Sequence, residues 1–363
     1  MVNQKRQISV PLVENILAQP EAIRTAAAYQ FGEGHAALFR SGALLQSRRG
    51  RLILSGMGGS LFACIPLSHY LAAQGMFAPV IETSELLHSY AAALDQDTTV
   101  ILVSRSGETV EVTKLLRILR ERGATVIGVT NVHGSTLASN ATECLVLQSP
   151  PDQFVAIQTY TATLIVLLLL GAAVCGEIDS SLYSELETLA DSLRVWIPQC
   201  LDSSEHWSSF LQSASPLYLL GRGVSLAAVH AGVLLFHEVA KTSALGMEAG
   251  NFRHGPVEVV DRRFHAVIFG LHSSTVDLDA ALAHDISEMN GIARWLGPAV
   301  KEYKATPLCP WPACVSNRFA PAVGTIPMQI AAYRLAEIRG VIPGQFRHAP
   351  QVTMSEIGFG GHV

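Results

Sequence analysis

The sequence contains few charged residues, and basic residues are not clustered in it. Only 15% of the 363 residues are charged, the formal net charge is −5, and the isoelectric point lies near 6.2. No basic run occurs, and no stretch interleaves basic with aromatic side chains. These features argue against nucleic acid as the main ligand. In contrast, 49% of the residues are hydrophobic, which is enough for a large core in a chain long enough for two domains.

Metal-binding and secretory motifs are also missing. The six cysteines are scattered, and only Cys309 and Cys314 stand close together, so no zinc site is completed. No two of the 13 histidines have the helical spacing of a metal site beside an acid. We therefore predict no metal and no other cofactor. The first ten residues lack the apolar core of a secretory signal, so a cytoplasmic protein with free thiols is expected.

One stretch has the length and the lack of charge that are typical of a membrane span. Residues 154–176 carry no charge and include a run of leucine, isoleucine and valine. The first half of the stretch is polar, and nothing similar recurs in the chain. A buried core helix is therefore favoured over a membrane span, and no membrane partner is predicted.

Short apolar runs alternate with helix-patterned segments, which is typical of parallel sheets covered by helices on both faces. The order of strand, glycine loop and helix occurs twice, which suggests an internal duplication. We predict a helical lead-in (1–45), a first domain (46–180), a helical connector (181–212) and a second domain with a tail (213–363). Strands are expected at 51–55, 80–82, 99–103, 125–130, 143–147, 217–220 and 265–270, and the later helices at 225–241, 277–293 and 325–339.

A loop rich in hydroxyl groups, Ser104–Thr109, lies between a predicted strand and a predicted helix that starts at Val110; we call it the hydroxyl loop. Ser104, Ser106 and Thr109 supply hydroxyl donors, and Gly107 allows close approach of the backbone. Unpaired amides at a helix start attract anions. Because no lysine follows the glycine, this is not a nucleotide P-loop, and a sugar phosphate is the predicted ligand. The alternative is an ordinary serine-rich turn capped by Thr109.

The glycine loop after the first strand fits two interpretations. Gly56-x-Gly58 begins a dinucleotide fingerprint, and Glu82 ends the next strand, where a ribose-binding acid would lie. However, Leu61 occupies the place of the third glycine. Gly58-Gly59-Ser60 and the hydroxyl loop follow neighbouring strands, so we expect the two loops to converge on one phosphate.

Two residues are candidates for proton transfer. Glu238 stands near the end of an apolar helix, where burial would raise its pKa toward the range that suits a general base. A surface ion pair with Lys241 is the alternative. His254 lies in a segment with glycine and proline and is either functional or a structural histidine that binds a backbone carbonyl. One carboxylate and one imidazole are the minimum set for moving a proton between adjacent sugar carbons and opening the ring.

These motifs resemble the sugar isomerase (SIS) family. The likeness is to its double-SIS branch, which includes the isomerase half of glucosamine-6-phosphate synthase and the fructosamine-6-phosphate deglycases, and it covers nearly the whole chain. It implies an α/β fold of two flavodoxin-like SIS domains, each a parallel sheet flanked by helices. The matching segments are Gln19-Pro20, Gly58-Gly59-Ser60, Ser84-Glu85, Ser104-x-Ser106-Gly107-x-Thr109, Gly221-Arg222-Gly223 and Phe252-Arg253-His254-Gly255-Pro256.

The resemblance also implies roles for individual residues. Glu238 would be the catalytic base, and His254 would be the acid that opens the ring or protonates the leaving group. The family forms homodimers with active sites at the interface, where His254 would serve the neighbouring subunit. Other substrate contacts would come from Ser84, Glu85 and His348. The substrate phosphate would be held by Gly58, Gly59, Ser60, Ser104, Arg105, Ser106 and Thr109.

Two departures from the synthase bear on the predicted activity. The tail of the synthase carries a lysine that forms a Schiff base, whereas residues 340–353 here contain none. A further acid and lysine of the synthase correspond to Ala231 and Leu235. We therefore predict a deglycase acting on 6-phosphorylated ketosamines, with Phe154 and Tyr160 near its amine half. The alternatives are a ketose/aldose-phosphate isomerase, an aminosugar-phosphate deaminase and a non-catalytic sugar-phosphate-binding protein.

Overall fold

The computed structural model describes residues 11–48, 50–301, 305–348 and 352–357. Its first sheet contains five parallel strands in the order β2-β1-β3-β4-β5. The central strand β3 is buried at every position, as expected where helices cover both faces of a parallel sheet. The strands are β1 (Arg51–Gly56), β2 (Val80–Glu82), β3 (Thr98–Val103), β4 (Thr125–Thr130) and β5 (Glu143–Val146).

The second sheet contains four parallel strands in the order β7-β6-β8-β9. Two parallel sheets of similar strand order in one chain confirm the predicted fold class. The domain boundaries stay a prediction. The strands are β6 (Leu217–Gly221), β7 (Ala244–Glu248), β8 (His265–Phe269) and β9 (Ile292–Leu296).

Helices precede, connect and follow the strands. The lead-in forms α1 (Pro11–Leu17), α2 (Gln19–Phe31) and α3 (His35–Ser47). The first half contributes α4 (Gly59–Ala73), α5 (Thr83–His88), α6 (Val110–Glu121), α7 (Thr136–Asn140) and α8 (Gln158–Cys175). The remainder forms α9 (Ser180–Ser203), α10 (Ser208–Ser213), α11 (Leu226–Glu238), α12 (Ala249–Phe252), α13 (Val276–Glu288) and α14 (Ala320–Ile338).

One hydrophobic core joins the two halves. It contains Leu52 and Leu54 of β1 as well as Leu217 and Leu219 of β6. Between the sheets, α4 packs against α8 and α11, and α11 packs against α14. Helix α8 is long and apolar enough to cross a membrane, yet 89% of it is buried inside the protein. The prediction of a core helix in this stretch is therefore confirmed.

The second sheet departs from the prediction in two ways, one wrong helix boundary and one strand that was not predicted. The helix expected over 277–293 ends at Glu288, and Ile292 already begins β9. Between them Asn290 has φ 65°, a left-handed conformation that cannot continue a right-handed helix. Strand β7 was not predicted at all. Both missed strands lie at the edges of the sheet, where half-exposed residues such as Arg294 interrupt the apolar pattern.

Candidate active site

A cavity of about 280 Å³ lies where the carboxyl ends of β1 and β3 face α11. This is the edge of a parallel α/β sheet at which ligands commonly bind. Both halves of the chain contribute to its walls. The lining residues are Met57, Gly58, Gly59, Ser60, Val103, Ser104, Arg105, Ser106, Thr109, Val112, Phe154, Val155, Ala156, Tyr160, Ala231, Leu234, Leu235, Glu238, Thr325, Phe346, Val352 and Thr353.

The hydroxyl loop is held in shape by its own hydrogen bonds. The hydroxyl of Ser104 accepts a hydrogen bond from the amide of Gly107 at 3.1 Å and lies 3.4 Å from the hydroxyl of Thr109. The hydroxyl of Ser106 accepts from the amide of Glu108 at 3.2 Å. Because these contacts fix the loop before any ligand binds, its hydroxyl groups are already oriented toward the cavity they line.

Two residues of the hydroxyl loop itself, Gly107 and Glu108, fix its position, and sequence reasoning missed the role of Glu108. Gly107 has φ 67°, and a Cβ at this position would lie 2.2 Å from the hydroxyl oxygen of Ser135. The carboxylate of Glu108 accepts hydrogen bonds from the amide of Thr136 at 2.6 Å and from its hydroxyl at 2.8 Å. Glu108 thus ties the hydroxyl loop to α7, which no local sequence signal indicates.

The glycine loop brings a second helix start to the cavity. Gly58 has φ 52°, and its carbonyl accepts hydrogen bonds from the amides of Leu61 and Phe62 as α4 begins. Ser60, in the first turn of α4, lines the cavity beside Gly58 and Gly59. The starts of α4 and α6 therefore flank the same space, where their dipoles favour a bound anion. The structure thus brings the predicted phosphate-binding residues together.

Glu238 lines the same cavity from the last position of α11. Burial raises the pKa of its carboxyl group to about 7, although the positive charges of Arg105 and Lys241 act in the opposite direction. The ammonium of Lys241 donates a hydrogen bond to the backbone carbonyl of Glu238, at the end of the helix. A carboxyl group with a pKa near neutrality can both accept and donate a proton at physiological pH.

The remaining walls are mostly apolar. Ala231 and Leu235 of α11 stand on the cavity wall with Glu238. Tyr160 and Phe154 also line it, as predicted, and the hydroxyl of Tyr160 donates to the carbonyl of Ala227 at 3.1 Å, which joins α8 to α11. Apolar walls of this kind exclude water from the carboxyl group and strengthen the electrostatic interactions inside the cavity.

The C-terminal segment closes one side of the cavity through Phe346, Val352 and Thr353. The prediction placed the tail around His348 near the substrate. The structure instead leaves His348 exposed and outside the cavity lining, with Phe346 on the wall. Sequence reasoning missed Val352 and Thr353, which carry no recognisable motif.

Three other predicted substrate or catalytic residues lie outside the lining of this cavity. Ser84 donates its hydroxyl hydrogen to Glu82 at 2.8 Å, and the amide of Glu85 donates to the same carboxylate at 2.9 Å, so Glu82 caps α5. These two hydrogen bonds occupy the carboxylate of Glu82, which the dinucleotide interpretation would assign to binding of a ribose. His254 is exposed in the turn after α12. Its predicted role in a neighbouring subunit's site, like the roles of Ser84 and Glu85, stays a prediction.

Comparison with known proteins gives consistent matches. Residues 44–173 match the family model described as the SIS domain. The isomerizing glutamine–fructose-6-phosphate aminotransferase of Pyrococcus horikoshii is 28% identical over 94% of this chain and 57% of its own length. The chain thus spans little more than half the length of this curated relative.

Solved structures with the same fold match over nearly the whole chain. The C-terminal domain of glucosamine-fructose-6-phosphate aminotransferase from Francisella tularensis has a TM-score of 0.78 at 18% identity, covering 94% of this chain and 99% of that one. Tagatose-6-phosphate ketose/aldose isomerase from Escherichia coli has a TM-score of 0.76 at 19% identity, covering 93% and 96%. The glycine loop and the hydroxyl loop both fall within the matched residues 44–173. Residues 44–173 therefore match the SIS domain, and the family resemblance predicted from the phosphate-loop motifs in this segment is confirmed.

Proposed function

We propose that this chain is a phosphosugar deglycase, which converts 6-phosphorylated ketosamines into an aldose 6-phosphate and a free amine. The observation that carries the proposal is the placement of Glu238 in the same cavity as the hydroxyl loop, with a pKa near 7. Ala231 and Leu235 stand on the same wall, and no lysine occurs among the described lining residues. Chemistry that needs a lysine imine with the sugar therefore has no candidate group on this wall.

Phosphate binding would orient the sugar. The hydroxyl loop, Ser60 and the starts of α4 and α6 offer hydroxyl and amide donors on one side of the cavity. Arg105 adds a positive charge on the same loop. Anchoring the phosphate there fixes the far end of the sugar, so that its binding energy positions the reacting carbons near Glu238.

Glu238 would then move one proton. Its carboxylate removes a proton from C1 of the ketosamine, the electron pair forms the C1–C2 double bond, and the C2 carbonyl oxygen takes up a proton. The resulting enaminol is protonated at C2 by the same carboxyl group, which leaves a C1–nitrogen double bond. Water adds to C1 of this imine, and the C1–nitrogen bond breaks to release the amine and the aldose. A base with a pKa near the working pH suits both proton transfers.

The proposal includes a second subunit. His254 lies outside the cavity lining of its own chain and is exposed, so its acid role requires a homodimer in which it reaches the neighbouring cavity. This part of the proposal is tested separately, by mixing Glu238→Gln and His254→Gln variants. Restored activity in the mixed dimer would support shared sites, whereas no recovery on exchange of subunits would contradict them.

The proposed function is tested by turnover of a small substrate panel. The panel holds 6-phosphorylated fructosamine adducts of several amino acids, glucosamine 6-phosphate, and fructose 6-phosphate with and without ammonia. We expect equal amounts of glucose 6-phosphate and free amine from an adduct. We expect Glu238→Gln to abolish this release, while Glu288→Gln, which removes an exposed carboxylate on α13, leaves it intact.

Other outcomes would replace the proposal. Interconversion of the simple sugar phosphates without adduct cleavage would indicate an isomerase, and ammonia release from glucosamine 6-phosphate alone would indicate a deaminase. Thermal stabilisation by sugar phosphates without any turnover would indicate a non-catalytic binding protein.

A further inference from the structure

A second cavity, of about 500 Å³, lies in the second half of the chain, beyond the carboxyl end of the edge strand β9. None of its lining residues also lines the cavity of the candidate active site, so the proposed function does not use it. Its volume is typical of small-molecule sites. We call it the tryptophan cavity, because its walls include Trp295 and Trp311. Four prolines also line it, Pro298, Pro307, Pro310 and Pro312.

In the second sheet, side chains occupy the position that corresponds to the candidate active site. That site lies at the carboxyl ends of β1 and β3, which correspond to β6 and β8 in sheet order. After β6, a Cβ on Gly223 would lie 2.7 Å from Nδ1 of His272, and Arg222 forms an ion pair with the buried Asp279. The tryptophan cavity instead lies one strand further along, at β9, still on the carboxyl edge where α/β sheets bind ligands.

Hydrogen bonds and prolines fix the walls of the tryptophan cavity. The indole Nε1 of Trp295 donates a hydrogen bond to the carbonyl of Pro298 at 2.9 Å. From α9, the indole Nε1 of Trp196 donates to the carbonyl of Pro310 at 2.7 Å, directly before Trp311. Each of the four lining prolines has a restricted φ. The cavity is therefore formed before any ligand binds, so that little ordering of the walls opposes binding.

Trp311 brings an unpaired hydrogen-bond donor to this cavity. Its indole Nε1 is buried and has no hydrogen-bond partner among the described residues, in contrast to Nε1 of Trp295. Leaving a buried N–H unpaired costs free energy, which a ligand acceptor would recover after a small rotation of the indole. No charged side chain occurs among the described lining residues, so a charged ligand would be buried without a partner. These features select a neutral ligand with an acceptor.

We propose that the tryptophan cavity binds a neutral aromatic molecule that carries a hydrogen-bond acceptor. The ring of the ligand would pack against the indole of Trp295 and the proline rings, since aromatic pairs gain energy beyond the area they bury. Its acceptor would take the Nε1–H of Trp311. The site is separate from the hydroxyl loop and Glu238, so this inference goes beyond the proposed function and does not depend on it.

Three probe molecules test this chemistry. Benzamide has an aromatic ring and a carbonyl acceptor, cyclohexanecarboxamide has the same acceptor on a saturated ring, and benzoate is the anion. Binding to the whole chain is followed at neutral pH through the indole N–H signals in ¹H–¹⁵N spectra. We expect benzamide to shift the Trp311 signal saturably with a Kd of about 1 mM. Cyclohexanecarboxamide should bind about threefold more weakly, and benzoate at least about tenfold more weakly.

Two tryptophan substitutions locate the binding site. Trp311→Phe keeps an aromatic wall but removes the donor, so the Kd of benzamide, followed on the Trp295 signal, should rise about tenfold. Trp207→Phe is the matched control, because it makes the same change at a buried indole outside the cavity and should leave the Kd unchanged. Thermal unfolding shows whether each variant is folded. If Trp311→Phe does not fold, the ranking of the three probes on the wild-type Trp311 signal decides the inference.

Four results would overturn the inference. The first is the lack of a saturable shift of the Trp311 and Trp295 signals up to the solubility limit of benzamide. The second is equal affinity for benzoate and benzamide, and the third is an unchanged Kd in a folded Trp311→Phe variant. The fourth is a nuclear Overhauser contact between the Trp311 N–H and a bound water that benzamide does not displace, because the cavity would then hold water only.

Discussion

The amide nitrogen of Val110 donates a hydrogen bond to the carbonyl oxygen of Thr353 across 3.0 Å. Val110 is the first residue of α6, so its amide has no partner within the helix. The bond therefore fastens the C-terminal segment to the helix that starts behind the hydroxyl loop. Glu356 strengthens the same attachment by accepting from His88 at 2.8 Å and from Lys114. One wall of the cavity is thus held by contacts outside the cavity.

This attachment predicts an effect of Glu356 on substrate affinity. Glu356→Gln removes the ion pairs with His88 and Lys114 while Thr353 keeps its bond to Val110. We expect KM for the phosphosugar to rise about threefold, with little change in Tm, because exposed ion pairs contribute little to global stability. Steady-state kinetics and thermal unfolding measure the two effects, with Glu288→Gln as the control. An unchanged KM would contradict the role of the tail as a cavity wall.

A pair of glycine substitutions distinguishes the effect of backbone strain from the effect of displacing the hydroxyl loop. Gly107 and Gly75 both have positive φ, 67° and 76°, but a Cβ at Gly75 meets nothing within 4 Å, whereas one at Gly107 meets Ser135. Gly75→Ala should cost about 1 kcal/mol of stability and leave ligand binding unchanged. Gly107→Ala should cost about 2 kcal/mol more, because Ser135 must move. It should also weaken binding of glucose 6-phosphate by at least about tenfold, since the loop donors are displaced.

Urea unfolding and titration calorimetry measure these effects. Equal losses of stability in the two alanine variants would show that the contact with Ser135 is relieved without cost. Normal glucose 6-phosphate affinity in Gly107→Ala would argue that the ligand does not bind at the hydroxyl loop.

The sequence predicts those parts of the fold whose signal is local. The buried run that forms β3 and the hydroxyl loop that follows it share a strand-to-helix boundary, and the bounds of β2 and β4 agree with those predicted. The edge strands β7 and β9 escaped prediction, because edge positions mix polar with apolar residues. These two segments form strands because they pair with β6 and β8, and not because their own sequences alternate polar and apolar residues.

The residues of the candidate site also fall into two groups, those with a local sequence signal and those without one. Glu238 could be identified because a carboxyl group in an apolar helix stands out in the sequence. The contributions of Val352 and Thr353 depend on contacts between segments more than two hundred residues apart, for which no local pattern exists. Glu108 also lacks a local pattern, because its partner Thr136 lies 28 residues further along the chain, at the start of α7.

The pKa of Glu238 predicts the pH dependence of turnover. A base must be deprotonated, so kcat should rise with pH and reach half of its plateau near pH 7. Glu238→Gln keeps the size of the side chain but cannot take up the C1 proton, and kcat should fall at least about 100-fold. Its affinity for glucose 6-phosphate should stay close to that of the wild type, because the phosphate donors lie on other elements. A half-maximal pH near 4.5, or near-normal turnover in the variant, would exclude Glu238 as the base.

The same group predicts how stability depends on pH. In the folded protein the pKa of Glu238 is about 7, above its ordinary value of 4.5. Between these two pH values the folded state binds more protons than the unfolded state, so the free energy of unfolding falls as pH rises through this window and levels off above pH 7. Since each pKa unit corresponds to about 1.4 kcal/mol, the loss from this one group is about 3 kcal/mol.

Substitution by glutamine isolates this contribution, because glutamine does not titrate. Glu238→Gln should gain about 3 kcal/mol of stability relative to the wild type between pH 5 and pH 8. Urea unfolding of both proteins at the two pH values measures the difference, and other titrating groups cancel because they are common to both. Stability curves that run parallel would mean that the carboxyl group is not desolvated in the folded state, and the explanation of its raised pKa by burial would then be wrong.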